Sequence, residues 1–199
     1  MPILGITGGV ATGKTTFTAL LRERLPAELF DADACARRLV VEDSAIQASM
    51  RRQFGARIFL GEKLDRAALR TLVFGDATAR QALEAILHPV IREQWLRLAE
   101  KIRREKNWLF VDIPLLFETG AEKFFDAIVV VACSDKIQRR RLNAQRHLTA
   151  DMASSIIAAQ WPLAEKISAA GHVIWNDGTL TALARQTHCF GDYLAQRYG

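Results

Sequence analysis

The chain has 199 residues, a formal net charge of +5 and a pI near 9.4. This length suits one compact domain, and the 50% hydrophobic and 25% charged fractions are those of an ordinary globular protein. No apolar run reaches the ~20 residues of a transmembrane helix, and the scattered Cys35, Cys133 and Cys189 fit neither a disulfide framework nor a zinc site. We therefore expect a cytoplasmic protein with no membrane segment, whose positive charge suits either nucleic acid or a polyanionic small molecule.

The order of predicted elements is that of a parallel α/β protein. Apolar runs predict strands at residues 3–7, 28–30, 108–113, 127–132 and 172–175. Helical periodicity predicts a helix from about Lys14 to Pro26, further helices over 135–170 and a final helix over 179–198. Strands that alternate with helices predict a parallel sheet covered on both faces.

The segment from Ala34 to about Arg104 has a nearly continuous helical pattern. It is interrupted at Phe54-Gly55, Gly61 and Gly75-Asp76, and His88-Pro89 predicts a kink or a boundary. In the later helical region, Leu148-Thr149 marks a possible turn.

The first strand leads into a glycine-rich loop, Gly8-Gly9-Val10-Ala11-Thr12-Gly13-Lys14-Thr15, which matches G-x-x-x-x-G-K-[ST]. Glycines let such a backbone curl so that its N–H groups point at phosphate oxygens, and the following helix adds the positive end of its dipole. Lys14 can reach the β- and γ-phosphates, and the Thr15 hydroxyl can bind Mg²⁺. Because a strand precedes the motif and an amphipathic helix follows it, the loop predicts a nucleoside triphosphate site.

The loop alone does not define the reaction, since GTPases, motor ATPases and small-molecule kinases share it. The chain is short for a motor, and the Asn/Thr-Lys-x-Asp guanine-binding motif is absent. A small-molecule kinase is therefore the leading class.

Three acidic residues are candidates for the chemistry of transfer. Asp31 and Asp33 end the second strand, at the edge where open α/β sheets bind ligands. Asp33 can act as the base on the acceptor hydroxyl or as a helix N-cap, and each aspartate can fill one of these roles. Asp112 ends the third strand, where a carboxylate can hold Mg²⁺ or simply form a turn.

The sequence gives weaker signals for the residues that bind the acceptor and for the positive charge that compensates the moving phosphoryl group. Glu118 is either a substrate contact or a helix-terminal charge, and His88 with Arg92 can contact an anionic substrate or be structural. Five basic residues lie close together and suit either a solvated helix face or phosphate binding: Lys136, Arg139, Arg140, Arg141 and Arg146.

Together these motifs resemble the dephospho-coenzyme A kinase family over nearly the whole chain. The matching segments are Gly5 to Thr16, Asp31-Ala32-Asp33, Leu87 to Arg92, Val111 to Glu118, Gln138 to Arg146, Ala159-Gln160 with Lys166, and Val173 to Gly178. The His-Pro and Asp-x-Pro-Leu-Leu-x-Glu segments are more specific than the phosphate loop.

The resemblance implies a P-loop three-layer α/β/α fold with a five-stranded parallel sheet, and transfer of the ATP γ-phosphate to the ribose 3′-hydroxyl of dephospho-coenzyme A. It implies Asp33, Lys14 and Arg141 as catalytic residues and Thr15 and Asp112 as Mg²⁺ ligands. ATP-binding residues would be Gly9, Val10, Ala11, Thr12, Gly13, Lys14, Thr15, Thr16, Arg146 and Asn176. Acceptor-binding residues would be Asp33, His88, Pro89, Arg92, Leu115 and Glu118.

The same resemblance implies a division of the chain. The core would comprise residues 1–33, 105–135 and 171–199, with a helical substrate-binding region at about 34–104 and a lid at about 136–170. The expected partners are ATP, Mg²⁺ and the small-molecule acceptor, without nucleic acid or membrane, and the expected state is a monomer or weak homo-oligomer. The alternatives are a nucleoside or nucleotide kinase and, more distantly, a nucleic-acid-associated P-loop ATPase.

The chain departs from the family pattern at the phosphate loop and in the lid. Ala11 and Thr12 stand where glycine and serine are usual, and alanine is expected to be tolerated only at a negative φ. The usual lid pattern has two arginines four residues apart, but after Arg141 the second place holds Gln145, and Arg146 follows. This step rotates a helical side chain by about 100°, so either a local shift restores the register or another of Arg139 to Arg141 takes over.

Overall fold

The protein was analysed as a computed structural model that describes residues 2–146 and 150–198; the side chains at 145–146 and 150–152 also lie outside the description. It has a five-stranded parallel sheet with flanking helices, which confirms the predicted fold class. The strands are β1 (Ile3–Gly8), β2 (Ala27–Asp31), β5 (Trp108–Asp112), β6 (Ala127–Ala132) and β7 (His172–Trp175), in the spatial order β2-β5-β1-β6-β7.

The register of the central strands brings their carboxyl ends to one edge. Ile6 lies opposite Asp112, Gly8 opposite Val131, and Ala132 opposite Trp175. Open parallel sheets bind ligands at this edge. The phosphate loop, Asp112 and the segment after β7 therefore lie at the ends of β1, β5 and β7, where the sequence places the nucleotide site.

Helices α1 (Lys14–Arg24), α8 (Leu163–Ala169) and α9 (Leu180–Tyr198) contact the strands of this sheet. Helices α6 (Asp135–Arg146) and α7 (Ala150–Ala158) contact each other and follow β6 in the chain. Phe17 and Leu21 of α1 share one hydrophobic core with Phe190 of α9 and with the apolar strand residues. Close packing of this apolar core holds β1 rigidly, and this fixes the position of Gly8, where the phosphate loop begins.

The chain divides into two compact units, residues 1–30 with 99–199 and residues 31–98. The second contains α2 (Ala32–Glu42), α3 (Ser44–Phe54), α4 (Arg66–Gly75) and most of α5 (Ala77–Glu105). Aspartate side chains cap these helices at their N-termini: Asp31, Asp43, Asp65 and Asp76 each accept backbone N–H groups.

The interruption of the helical pattern that the sequence predicts at Gly61 is a short hairpin. Phe59–Leu60 (β3) pairs antiparallel with Lys63–Leu64 (β4), and Gly61 takes a φ of 61° at the turn between them. Glycine adopts this left-handed conformation without steric cost, so it allows a hairpin at this interruption.

Pro89 does not end a helix, because α5 runs through it from Ala77 to Glu105. The proline removes one backbone hydrogen bond, but Leu87, Ile91 and Trp95 remain buried at helical spacing on both sides of it. This packing maintains the helix. Of the two predicted alternatives at His88-Pro89, the boundary is therefore wrong, and the kink stays a prediction. Among the described residues, no helix is both long enough and apolar enough to cross a bilayer.

Candidate active site

The phosphate loop joins β1 to α1 through two glycines with positive φ, Gly8 at 147° and Gly13 at 98°. Neither position has room for a side chain. A Cβ on Gly8 would lie 2.2 Å from the carbonyl oxygen of Val131, and one on Gly13 would lie 2.2 Å from Nδ2 of Asn176. These glycines are required both by backbone conformation and by the close approach of neighbouring groups.

Ala11 also lies in the left-handed region, with a φ of 57°. The expectation that an alanine here requires a negative φ is therefore wrong. The Cβ of an L-residue meets the following carbonyl oxygen in this region, at a cost of roughly 1–2 kcal/mol. The contacts around the loop must offset this strain.

Inside the loop, two polar side chains converge on the carbonyl oxygen of Gly9. The buried Thr12 donates to it from Oγ1 at 2.9 Å, and Lys14 donates from Nζ at 3.1 Å. Lys14 Nζ also lies 3.4 Å from the carbonyl oxygen of Gly8. The ammonium group of Lys14 thus lies over the loop. Phosphate oxygens of a bound nucleotide would replace these carbonyl oxygens as its hydrogen-bond acceptors.

Outside the loop, the carbonyl oxygen of Thr12 accepts two side chains. Asn176 donates from Nδ2 at 2.8 Å, and Arg141 donates from Nη1 at 3.2 Å. Arg141 also donates to the main-chain oxygen of Asn176 at 2.9 Å. The structure therefore brings together Thr12, Arg141 and Asn176, three residues that the resemblance assigned to the nucleotide site.

The segment that carries Asn176 is itself fixed to the start of α6. The carboxylate of Asp177 accepts the backbone N–H of Ser134 at 2.7 Å, and this hydrogen bond is the main reason that the pKa of Asp177 lies below its ordinary value. The loop after β7 and the beginning of α6 therefore form one connected wall beside the phosphate loop.

The arginines of α6 have different surroundings. Arg139 pairs with Asp135 at 2.8 Å and donates to Ser154 at 2.7 Å, which joins α6 to α7. Arg140 is exposed. Arg141 is the α6 arginine with a described contact to the phosphate loop. The side chain of Arg146, the other predicted lid cation, lies outside the described residues, as does the predicted turn at Leu148-Thr149.

Asp112 and Thr15 suit a magnesium ion by their chemistry and position. Asp112 ends β5 opposite Ile6, two residues before Gly8, and Thr15 is the second residue of α1. Both offer hard oxygen atoms, and Mg²⁺ usually binds to one or two protein oxygens together with substrate phosphates and water. The described residues contain no group of three or more His, Cys, Asp or Glu that would form an all-protein metal cage.

The two aspartates after β2 have separate positions. The Asp31 side chain accepts the backbone N–H of Ala34 at 2.8 Å and so caps α2. Asp33 lies within the first turn of α2. The cap of α2 therefore belongs to Asp31.

His88, Pro89 and Arg92 lie on α5, in the unit formed by residues 31–98. The pKa of His88 is lowered mainly by burial, while Glu84 raises it and Arg92 lowers it by their charges. His88 is thus held toward its neutral form beside a half-buried arginine. Asp33 belongs to the same unit, whereas Leu115 and Glu118 belong to the unit of the phosphate loop.

Glu118 has protein partners for one carboxylate oxygen. Its Oε1 lies 2.7 Å from Nζ of the fully buried Lys166 and accepts the backbone N–H of Trp161 at 2.9 Å. Lys166 also donates to the carbonyl oxygen of Pro114 at 2.8 Å. These contacts tie the turn that contains Leu115 to α8 and favour a positioning role for Glu118.

Sequence reasoning missed the roles of Lys166, Gln138 and Gln160. Lys166 stands among Leu163, Ala164 and Ile167 in a short apolar helix, and a lone cation at such spacing is a signal for a buried ion pair. Gln138 and Gln160 each bond to Val10 from far along the chain, and neither carries a signal in its own neighbourhood.

The chain is similar to known proteins over almost its whole length. The family model for dephospho-CoA kinase matches residues 2–182. A dephospho-CoA kinase of Anaeromyxobacter dehalogenans is 42% identical over 92% of this chain and 88% of its own length, and one of Geobacillus kaustophilus is 40% identical over 92% of each. A crystal structure from Thermus thermophilus, 35% identical, superposes with a TM-score of 0.79 over 100% of this chain and 98% of that one. The chain belongs to the dephospho-CoA kinase family.

Proposed function

We propose that the protein transfers the γ-phosphate of ATP to the 3′-hydroxyl group of the ribose in dephospho-coenzyme A, which gives coenzyme A and ADP. The observation that carries the proposal is the family match over residues 2–182, which includes the phosphate loop and the residues that hold it. The acceptor comes from the names of the relatives, and the donor from the loop.

The loop and its neighbours account for the donor half of the reaction. Lys14 and the N-terminus of α1 bring positive charge to the phosphates. Arg141 adds a guanidinium group beside Gly13, since its Nη1 lies 3.8 Å from the position that a Cβ on Gly13 would take. Charge placed before the reaction lowers the barrier without reorganisation during transfer. Mg²⁺ held by Asp112 and Thr15 would supply further neutralisation of phosphate charge.

Asp33 supplies the proposed base of the acceptor half. Asp33 lies in the first turn of α2, two residues after the aspartate that caps this helix, and its carboxylate is proposed to accept the proton of the attacking hydroxyl group. Within the unit of residues 31–98, His88, Pro89 and Arg92 are proposed acceptor contacts; within the unit of the phosphate loop, Leu115 is a proposed acceptor contact that Glu118 helps to position. Arg92 suits an anionic group on that molecule, and the lowered pKa of His88 makes it a neutral hydrogen-bonding partner.

A panel of acceptors tests the proposal. The protein is incubated with Mg-ATP and, separately, with dephospho-coenzyme A, a nucleoside, a nucleoside monophosphate or no acceptor, and ADP formation is followed. We expect turnover with dephospho-coenzyme A to exceed that with the other acceptors by orders of magnitude. Preferred turnover of the nucleoside or the nucleotide would replace this proposal with a nucleoside or nucleotide kinase.

A further inference from the structure

Val10 is held on both sides by glutamine side chains from two separate parts of the predicted lid region. Nε2 of Gln138, in α6, donates to the carbonyl oxygen of Val10 at 2.8 Å. Oε1 of Gln160, which follows α7, accepts the backbone N–H of Val10 at 3.0 Å. We call these two glutamines and Val10 the Val10 clamp.

The clamp fixes the orientation of two successive peptide groups. In a trans peptide, the C=O and N–H groups point in opposite directions. The bond from Gln160 to the Val10 N–H therefore turns the Gly9 carbonyl oxygen inward, where Thr12 and Lys14 donate to it. The bond from Gln138 to the Val10 carbonyl group turns the N–H of Ala11 away from Gln138, toward the inside of the loop.

The same argument applies to the peptide group between Thr12 and Gly13. Asn176 and Arg141 hold the carbonyl oxygen of Thr12, and this directs the N–H of Gly13 away from them. Side chains thus hold the carbonyl oxygens of Val10 and Thr12 from outside the loop. Inward N–H groups are what a phosphate-binding loop needs.

The clamp lies directly before the strained residue. Ala11, at a φ of 57°, follows Val10, and alanine does not adopt this conformation without a steric cost. Gln138 is 4% exposed, and its amide leaves no room at Gly9, where a Cβ would lie 2.7 Å from Nε2. The clamp is closely packed and can therefore offset the strain.

We propose that Gln138 and Gln160 are positioning residues that hold Val10 between them, keep Ala11 in its left-handed conformation and so direct the N–H group of Ala11 toward the triphosphate. Because α6 and the end of α7 both contribute, the arrangement of the lid region and the shape of the phosphate loop are coupled. The proposal rests on the proposed use of ATP and does not depend on the acceptor.

The test measures nucleotide binding without any acceptor. Calorimetric titration with the magnesium complex of a non-hydrolysable ATP analogue compares the wild type with Gln138→Met, Gln160→Met and the same changes made together with Ala11→Gly. Each single change is expected to raise Kd about 5-fold, the worth of one ordinary hydrogen bond. Since glycine takes a positive φ freely, Ala11→Gly is expected to return Kd to within about 2-fold of the wild type.

A matched control is Gln47→Met, which removes a hydrogen bond of the same kind, from Nε2 to the carbonyl oxygen of Val41 at 2.6 Å on other helices. It is expected to leave Kd unchanged. If Gln138→Met fails to fold, the half-buried Gln160 provides the same test alone. Unchanged binding in the glutamine variants, or a weakened Kd that Ala11→Gly does not restore, would overturn the proposal. Failure of the proposed acceptor chemistry would leave these Kd values unaffected.

Discussion

Nη1 of Arg141 lies 3.2 Å from the carbonyl oxygen of Thr12, so an arginine from the first helix of the lid region reaches the phosphate loop. A second donor group of the same guanidinium binds the main-chain oxygen of Asn176 at 2.9 Å. A planar guanidinium group can bridge two oxygens in this way and still carry its charge at every physiological pH. Among the α6 arginines whose side chains are described, Arg141 has a contact with the phosphate loop, and we propose that it stabilises the transferring charge.

The first prediction concerns this arginine. Arg141→Ala is expected to lower kcat about 10²-fold, the usual effect of losing one positioned donor in a transition state. Arg141→Lys is expected to recover only part of the loss, because an ammonium group does not bridge both carbonyl oxygens. Arg140→Ala is the control, since Arg140 is exposed on the same helix, and its kcat is expected to stay within about 2-fold. The reverse order of the two effects in steady-state kinetics would reassign the role.

The second prediction separates the two aspartates after β2. Asp33→Asn is expected to lower kcat by about 10²-fold or more, with ATP binding nearly unchanged. Asp31→Ala removes the α2 cap and is expected to lower the free energy of unfolding by about 1 kcal/mol. Kinetics and denaturant unfolding of both variants check this division. Full activity in Asp33→Asn would contradict the assignment of the base.

The third prediction follows from the φ of Ala11. Ala11→Gly removes the steric cost but makes the unfolded chain more flexible, so the net gain in unfolding free energy is expected to be at most about 1 kcal/mol. Ala11→Val is expected to be destabilising, because a branched side chain fits the left-handed region poorly. Denaturant midpoints of the two variants should move in opposite directions. A stabilising valine would contradict the left-handed assignment.

The fourth prediction concerns the buried pair of Lys166 and Glu118. Lys166→Met leaves the carboxylate of Glu118 without its cation and is expected to cost about 3–5 kcal/mol of unfolding free energy. Adding Glu118→Gln should recover part of this loss. Arg97→Ala breaks the exposed pair with Glu93 and serves as the control, with an expected change below about 1 kcal/mol. Equal losses of unfolding free energy in Lys166→Met and Arg97→Ala would show that burial does not govern the contribution of Lys166 to stability.

The fifth prediction is a pH dependence. Burial lowers the pKa of His88 in the folded protein below its ordinary value of 6.5, so the unfolded chain takes up this proton first as the pH falls. Stability is therefore full above the unfolded pKa and is lost as the pH falls from there through the folded pKa. His88→Gln should lose less unfolding free energy than the wild type between about pH 7.5 and pH 5. A steeper loss in the variant would contradict the sign.

The sequence predicts the framework well because its signals are local. The apolar runs at 127–132 and 172–175 are strands with those same limits, and the loop between Gly8 and Thr15 joins a strand to a helix as its motif requires. At Gly61 the sequence predicts an interruption but not the hairpin that forms there. At Pro89 helical periodicity holds and the proline does not end the helix, because packing on both sides outweighs one lost hydrogen bond.

The site was less predictable because its supporting contacts join distant parts of the chain. Gln138, Gln160 and Asn176 bond to the phosphate loop from more than 100 residues away, as the separations of 128, 150 and 164 residues show. The φ of Ala11, 57°, is one that alanine adopts only at a steric cost, so the residue type alone does not predict it. No periodicity or motif contains such information.

The most direct measurement of the central claim is the identity of the phosphorylated product. After incubation with Mg-ATP and dephospho-coenzyme A, mass spectrometry and ³¹P NMR of the purified product are expected to show one added phosphate on the ribose 3′-hydroxyl group. Asp33→Asn under the same conditions is expected to give little or none. Hydrolysis of ATP without any phosphorylated acceptor, or a product that carries the new phosphate at another position, would contradict the proposed reaction.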